Sequence, residues 1–511
     1  MALWLAVGLC VGSGFALVTL WWSRRGSFAE DILLRVFLSA GFGLGIFSVV
    51  YLFARIFFAE ILTTKNLLLA DVIMFAVLAA AAVVRSRFRL VKFGFPALTD
   101  DEGWPAWFRR TLSAAFVLTF LVAVYAAINR TLAFPHGDGW DAFAIWNLHA
   151  RFLFLGGEHW RDGFTSLVGG SHPDYPLLLP AAIAHFWTFL GHDDPRVPAV
   201  IGFVFSFATV GVLFAALSIL RGRVAAMMAA VALLSTPFFI EQGTAQYADV
   251  PLSFFFLAAI VLLSLFDGAT IDGATVDGAT TDATTTDSAP TGSSNTQPWG
   301  LPILAGLATG FAAWTKNEGL LFLFAVVVSR VLVLVRRART QNLRKRGDRL
   351  IPVSIWLDIP ALLAGLAPGL FLILYYKHWI AIPGDLFSDP ATAVPKLLDP
   401  ARYWAIFTGS VKGFFRFGHW FLVPATVVLA GIALVFGKDG RFTRQHGFVT
   451  GVFALTLTFI GYFGVFLITP YDIHWHLRFS LMRLFLQLWP SVVFLVFLAL
   501  RNPAAAKKAA I

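Results

Sequence analysis

Polar positions punctuate this chain at long intervals, and between them run apolar stretches of bilayer length. These cover residues 3–22, 32–54, 67–84, 111–128, 197–220, 224–240, 251–266, 300–315, 319–335, 353–376, 419–437, 447–468 and 481–500. A helix needs about 20 apolar residues to cross the hydrocarbon core, so the pattern predicts an all-α polytopic membrane protein of about 13 transmembrane helices. Two further stretches fit less well: 177–190 is short and bounded by Pro176 and Gly191, and 403–418 contains Lys412 and Arg416. Both are expected to lie in the interface as helices in extracytoplasmic loops.

Composition supports that class. Of 511 residues, 58% are hydrophobic and 13% charged, where a soluble domain carries about a quarter charged residues; a soluble enzyme is excluded. The net charge of +10 would suggest nucleic acid in a soluble protein, but here the basic residues follow the bias of cytoplasmic loops. With both ambiguous stretches kept out of the membrane, Arg24/Arg25, Arg85 to Lys92, Arg109/Arg110, Arg221/Arg223, Arg336 to Arg349, Lys438/Arg441/Arg444 and Lys507/Lys508 share one side. That side is expected to be the cytoplasm, and the long loops, 129–196 above all, face outward. No basic segment precedes the first apolar run, which reads as a retained span and not as a cleaved signal peptide. The single cysteine, Cys10, lies in that run, so no intramolecular disulfide braces the loops.

The expected organisation is residues 1–110 as N-terminal membrane helices, 111–266 as a core carrying the large loop, 267–299 as a low-complexity cytoplasmic linker and 300–511 as a C-terminal membrane region. Asp267, Asp272, Asp277, Asp282 and Asp287 recur every five residues in the linker, a period that suits neither helix nor strand, and few bulky apolar residues are present to offset the cost of ordering.

Candidate chemistry gathers at the outward ends of the apolar runs. Asp138 and Asp141 sit in a Gly-containing turn, and Asp174 lies between Pro173 and Tyr175-Pro176, where proline stiffens the backbone. One such carboxylate can act as a general base while another positions substrate; the simpler alternative is a pair of turns capping helices. Asp249 opens a span, as an N-cap or as lining of a substrate entrance. Lys316 and Glu318 form a tight outward turn with Asn317. Lys316, Lys377, Arg402, Lys412, Arg416, Arg478 and Arg483 all violate the charge bias. The expectation is that something anionic compensates them, a lipid phosphate being suited to Arg and Lys, unless the side chains merely reach to the interface. His474 and His476 precede the last span; without a zinc-binding pattern, hydrogen bonding or stacking on a polar ligand is favoured for them.

This layout resembles the GT-C class of membrane glycosyltransferases, especially the branch of protein O-mannosyltransferases and lipid A aminoarabinose transferases, over about residues 111–335. The motifs concerned are an acid soon after the first core span (Asp141, with Asp138 as competitor), a carboxylate beside proline later in the loop (Asp174), Asp249-Val250-Pro251, and Thr315-Lys316. The family commonly has Asp-Glu at the first position and Lys-Pro-Pro after the second acid. This chain has Asp141-Ala142 and Asp174-Tyr175-Pro176 instead, so the lysine's role would pass to Lys316 or Arg483.

The resemblance implies a GT-C-like fold in the cell inner membrane and inverting transfer of a sugar from a polyprenyl-phosphate donor to a glycan, lipid or protein acceptor on the extracytoplasmic side. Asp141 would be the base, and Asp138 and Asp174 would orient acceptor or sugar. Lys316 and Arg483 would stabilise the leaving phosphate, with Asp249, Glu318, His474, His476 and Arg478 binding substrate. No cofactor is expected, because cationic side chains can carry the charge a divalent metal otherwise would; nor is nucleic acid a partner. The competing readings are a polytopic transporter or lipid-linked glycan flippase, and an O-antigen-ligase-like transferase using a lipid diphosphate donor.

Overall fold

A computed structural model describes residues 1–22, 28–58, 62–87, 104–278, 299–344, 354–384, 390–418 and 423–502. Among these residues regular structure is helical throughout, apart from one isolated bridge between Lys438 and Leu500. In chain order the first helices are α1 (Ala2–Trp21), α2 (Phe28–Phe57), α3 (Thr64–Arg87) and α4 (Ala106–Ala133). The large loop holds α5 (Asn147–Leu155) and α6 (Leu178–Leu190), and α7 (Arg196–Arg221), α8 (Arg223–Leu234), α9 (Pro237–Thr244) and α10 (Asp249–Gly278) follow. The remainder comprises α11 (Gly300–Thr315), α12 (Asn317–Arg344), α13 (Ser354–Trp379), α14 (Pro390–Leu397), α15 (Pro400–Phe414), α16 (Ala425–Phe436), α17 (Gly440–Thr443), α18 (His446–Ile468) and α19 (Ile473–Ala499).

Ten of these helices are long and apolar enough to cross a membrane, or eleven if α8 and α9 count as one span. That pair corrects the single helix expected over 224–240, because Pro237 cannot continue the hydrogen-bond ladder of the preceding turn and the axis bends by 66°. The apolar runs 300–315 and 419–437 contain helices of only 16 and 12 residues.

Two other expectations change. The stretch 177–190, expected as an interfacial helix, forms α6, which is buried among its neighbours from Leu178 to Trp187. Its His185 ring packs on Phe47 of α2 and bonds the Asp71 carboxylate of α3 at 3.1 Å. An apolar 13-residue helix can satisfy its surface with protein as well as with lipid, and hydropathy does not distinguish the two. Asp267, expected to open the linker, instead lies fully buried within α10 and pairs with Arg330 at 2.6 Å. Residues 279–298 of that linker fall outside the described residues.

Helix ends sort into two groups. At one end Arg85 lies over the Trp21 ring, Arg223 meets Glu30, Arg221 bonds Asp439 and the Leu500 carbonyl, and Trp104 packs on Phe436. Of the basic groups expected to share a side, Arg85, Arg221/Arg223 and the group around Asp439 thus share an end. At the other end Arg55 donates to the Gly157 carbonyl and Thr64 to that of Thr188. The loop between α4 and α7 folds over this second end.

Candidate functional site

Five separate stretches of chain bring charge to that second end. Asp249, the first residue of α10, has a fully buried carboxylate that accepts from Lys316 Nζ at 3.0 Å, from Arg483 Nε at 2.8 Å and from the Gln487 amide at 2.6 Å. Arg483 and Gln487 lie one turn apart on α19, so a single helix face presents both. Tyr462 of α18 donates to the Gln487 carbonyl oxygen at 2.6 Å and orients that amide. Lys316 occupies the break between α11 and α12, where it also meets Glu318 at 2.9 Å.

The large loop supplies the rest. Gly137 and Gly139 hold φ of +89° and +105° after α4, a region that suits glycine, and a Cβ at Gly139 would lie 2.5 Å from the Tyr247 hydroxyl. This turn delivers Asp141 to Arg483, with Oδ2 accepting from Nη1 at 2.7 Å. A π-helical turn, Ala142–Trp146, follows at once and leads into α5. Further on, Asp174 accepts from the Asn317 amide at 2.7 Å and meets Lys377 at 3.4 Å; Lys377 also bonds the Asp174 carbonyl and Asn317 Oδ1, each at 2.8 Å. Tyr376 fixes the same segment by donating to the Pro173 carbonyl at 2.6 Å.

Four carboxylates (Asp141, Asp174, Asp249, Glu318) thus face three cations (Lys316, Lys377, Arg483). Burial disfavours the charge on Lys316, but Asp249 and Glu318 outweigh burial and hold its pKa above the ordinary lysine value. Burial raises the Tyr247 hydroxyl to about 12, with Asp141 adding to the effect, so it stays protonated and able to donate. Tyr175, which packs beside Lys316, is likewise pushed up by burial.

Donor counting shows what the cluster can still bind. Guanidinium carries five N–H groups and ammonium three; Arg483 spends three of its groups on Asp249 and Asp141, and Lys316 spends two, on Asp249 and Glu318. Asp141 is engaged through Oδ2, and its side chain is 22% exposed, the most open of the acids around Arg483 and Lys316. The buried Oε2 of Glu318 has no hydrogen-bond partner in the protein. The arrangement can therefore orient an anionic or hydroxyl-bearing ligand against a carboxylate. Among the described residues no three His, Cys, Asp or Glu side chains are grouped to hold a metal ion.

Of the residues singled out in the sequence, Asp141, Asp174, Asp249, Lys316, Glu318 and Arg483 come together. Asp138 does not: its carboxylate turns away to Arg130 on α4. His476 packs its ring on Phe466 and Tyr471, whereas His474 and Arg478 are exposed, Arg478 lying over the Phe479 ring. Several of the outward cations, for which the expected compensating group is an anion such as a lipid phosphate, find their partners within the protein. Asp249, Asp141 and Glu318 neutralise Lys316 and Arg483, Asp174 meets Lys377, and Arg402 is taken up by the Phe466 and Leu467 carbonyls. Asn317, Lys377, Tyr462 and Gln487 were not assigned to the site. Gln487 carried a usable signal, an amide four residues after Arg483 inside an apolar run.

No protein-family model, no curated protein and no solved structure matches this chain.

Proposed function

We propose that this protein is a GT-C-type inverting glycosyltransferase that moves a sugar from a polyprenyl-phosphate carrier to a hydroxyl or amine acceptor at the extracytoplasmic face of the cell inner membrane. Ten helices are long and apolar enough to cross, and this reading takes the bent α8/α9 pair and the shorter α11 and α16 as the remaining crossings of thirteen. An odd number with the basic end inside puts the N-terminus and the site outside.

One observation carries this reading: a partly exposed carboxylate, Asp141, pairs with Arg483, which shares the Asp249 carboxylate with the buried Lys316, and neither cation uses all its donors. In the proposed step the acceptor oxygen or nitrogen attacks the anomeric carbon and its proton passes to Asp141 Oδ1. The anomeric carbon–oxygen bond to phosphate breaks, and the phosphate departs with the bonding pair toward Lys316 and Arg483. The sugar changes anomeric configuration because attack and departure occupy opposite faces. Asp174, held by Asn317 and Lys377, orients the acceptor or the sugar.

The transporter reading has one observation in its favour, the sharp break between α8 and α9, since broken helices line many transport sites. Purified protein given a polyprenyl-phosphate sugar and a panel of acceptors separates the two. Release of polyprenyl phosphate without nucleotide, ATP or an ion gradient supports transfer. Absence of release together with gradient-driven uptake into proteoliposomes supports transport and sinks the transferase.

A further inference from the structure

The turn between α9 and α10 does more than deliver Asp249. Its Gln246 holds a φ of +61°. The Gln246 side chain donates to the Pro135 carbonyl at 2.9 Å and accepts from the Asn147 amide at 2.8 Å. Both ends of the 135–147 segment, which carries Asp141, are thereby fastened to this turn. The two chains run close: a Cβ on Gly137 would lie 2.9 Å from the Ala245 carbonyl oxygen and 2.4 Å from the Ala142 Cβ.

Tyr247, next in the turn, reaches two of the groups to which the proposed chemistry is assigned. Its ring lies against Arg483, the guanidinium carbon standing 4.6 Å from the ring centre. At the far end of the ring, the hydroxyl stands 2.5 Å from where a Cβ on Gly139 would be and lies against the backbone N–H of Asp141. Asp141 opens the helical segment that continues through Ala142–Trp146. Backbone N–H groups in the first turn of a helix have no acceptor within it, and the Tyr247 oxygen offers one to Asp141. Glycine at 139 leaves room for that hydroxyl.

We propose that Tyr247 is a positioning residue for sugar transfer, holding Asp141 through its hydroxyl and Arg483 through its ring. This role rests on the transferase reading. The two contacts have separable consequences. Without the hydroxyl the Asp141 backbone loses its anchor, and because a displacement of about 1 Å can cost about 100-fold in rate, Tyr247→Phe should lower kcat by about 10–100-fold while donor KM stays within about twofold. Tyr247→Leu also removes the ring from Arg483, so donor KM should rise as well, by about five- to thirtyfold for a largely desolvated cation–π contact.

The test is steady-state transfer from a polyprenyl-phosphate sugar by the purified full chain, with donor and acceptor concentrations varied. Tyr247→Phe is measured alone and in the Asp141→Asn background. Because the hydroxyl acts through Asp141, it should matter by less than about twofold once Asp141 is replaced, whereas a general loosening of the fold would slow both backgrounds alike. Circular dichroism checks that each variant keeps its helices, and Tyr247→Phe decides the matter alone if the leucine variant does not fold. Wild-type kcat in Tyr247→Phe, wild-type donor KM in a folded Tyr247→Leu, or an undiminished further loss in Asp141→Asn would each overturn the positioning role while leaving the transferase reading intact. A wild-type chain that transfers no sugar overturns that reading, and the role of Tyr247 with it.

Discussion

Replacing Asp249 by asparagine probes the point on which four helices converge. Net charge alone favours the variant, because Asp141, Asp249 and Glu318 outnumber Lys316 and Arg483 by one, and the amide would balance the group. Geometry argues the opposite and is expected to win. Asp249 is fully buried and its two oxygens accept only from donors, Lys316, Arg483 and Gln487. An amide nitrogen must therefore face at least one of them, leaving a buried cation short of an acceptor. Breaking a buried pair from one side costs about 3–5 kcal/mol, and Asp249→Asn should lose stability in that range. Lys316→Met should cost less, because Asp249 keeps Arg483 and Gln487. The double variant should lose less than the sum, with a coupling of about 1–3 kcal/mol. Cys10 reports the unfolding, being the one cysteine of the chain and buried in α1. Its reaction with a thiol-reactive dye during denaturant titration in micelles gives the free energies. Stability of Asp249→Asn within about 0.5 kcal/mol of wild type, or strict additivity, would refute the reasoning.

Other outcomes follow from the same structure. Arg330, fully buried between Asp267 and Asp358, should be as sensitive as Asp249. Arg330→Met should cost about 3–5 kcal/mol, whereas replacing all three residues with apolar ones of similar volume should restore much of it, read by the same dye titration. His149, buried beside Ser171, has its pKa lowered to about 3 by burial, with His172 adding to it. Below about pH 6.5 the unfolded chain takes up a proton at His149 that the folded chain refuses. Stability should therefore fall between pH 6.5 and 3 by up to about 1.4 kcal/mol per pH unit, and His149→Gln should flatten that slope in pH-dependent melts. Ser166, exposed on the large loop, should react as Ser166→Cys with an impermeant reagent in intact cells, whereas Arg444→Cys should not. The reverse pattern would invert the proposed orientation.

Much of the site was legible because its residues break apolar runs. Asp249, Lys316 and Arg483 stand out as charges at or inside segments that otherwise suit lipid, and the prolines flanking Asp174 mark a stiff turn. Their pairing was not legible. Asp141 and Arg483 are 342 positions apart, and no local period encodes such a contact, so cations that the fold neutralises internally looked as if they needed an external anion. The same limit hid the partnership of Arg330 with Asp267 and Asp358, although a charge inside an apolar run was visible in the sequence. Hydropathy also gives α6 the same signature whether lipid or protein covers it, and the fold buries it through His185, Phe186 and Trp187. Asp138 and Asp141 share a turn, yet φ values available to glycine at 137 and 139 send the two carboxylates to different partners.

The central claim is that Asp141 takes the acceptor's proton while Lys316 and Arg483 receive the phosphate. Its most direct test is the rate of sugar transfer from a polyprenyl-phosphate donor by Asp141→Asn, measured beside the binding of that donor. Transfer slowed by about 10²–10⁴-fold, with donor affinity retained and Asp138→Asn close to wild type, is the predicted result. Transfer by Asp141→Asn at the wild-type rate would contradict the account.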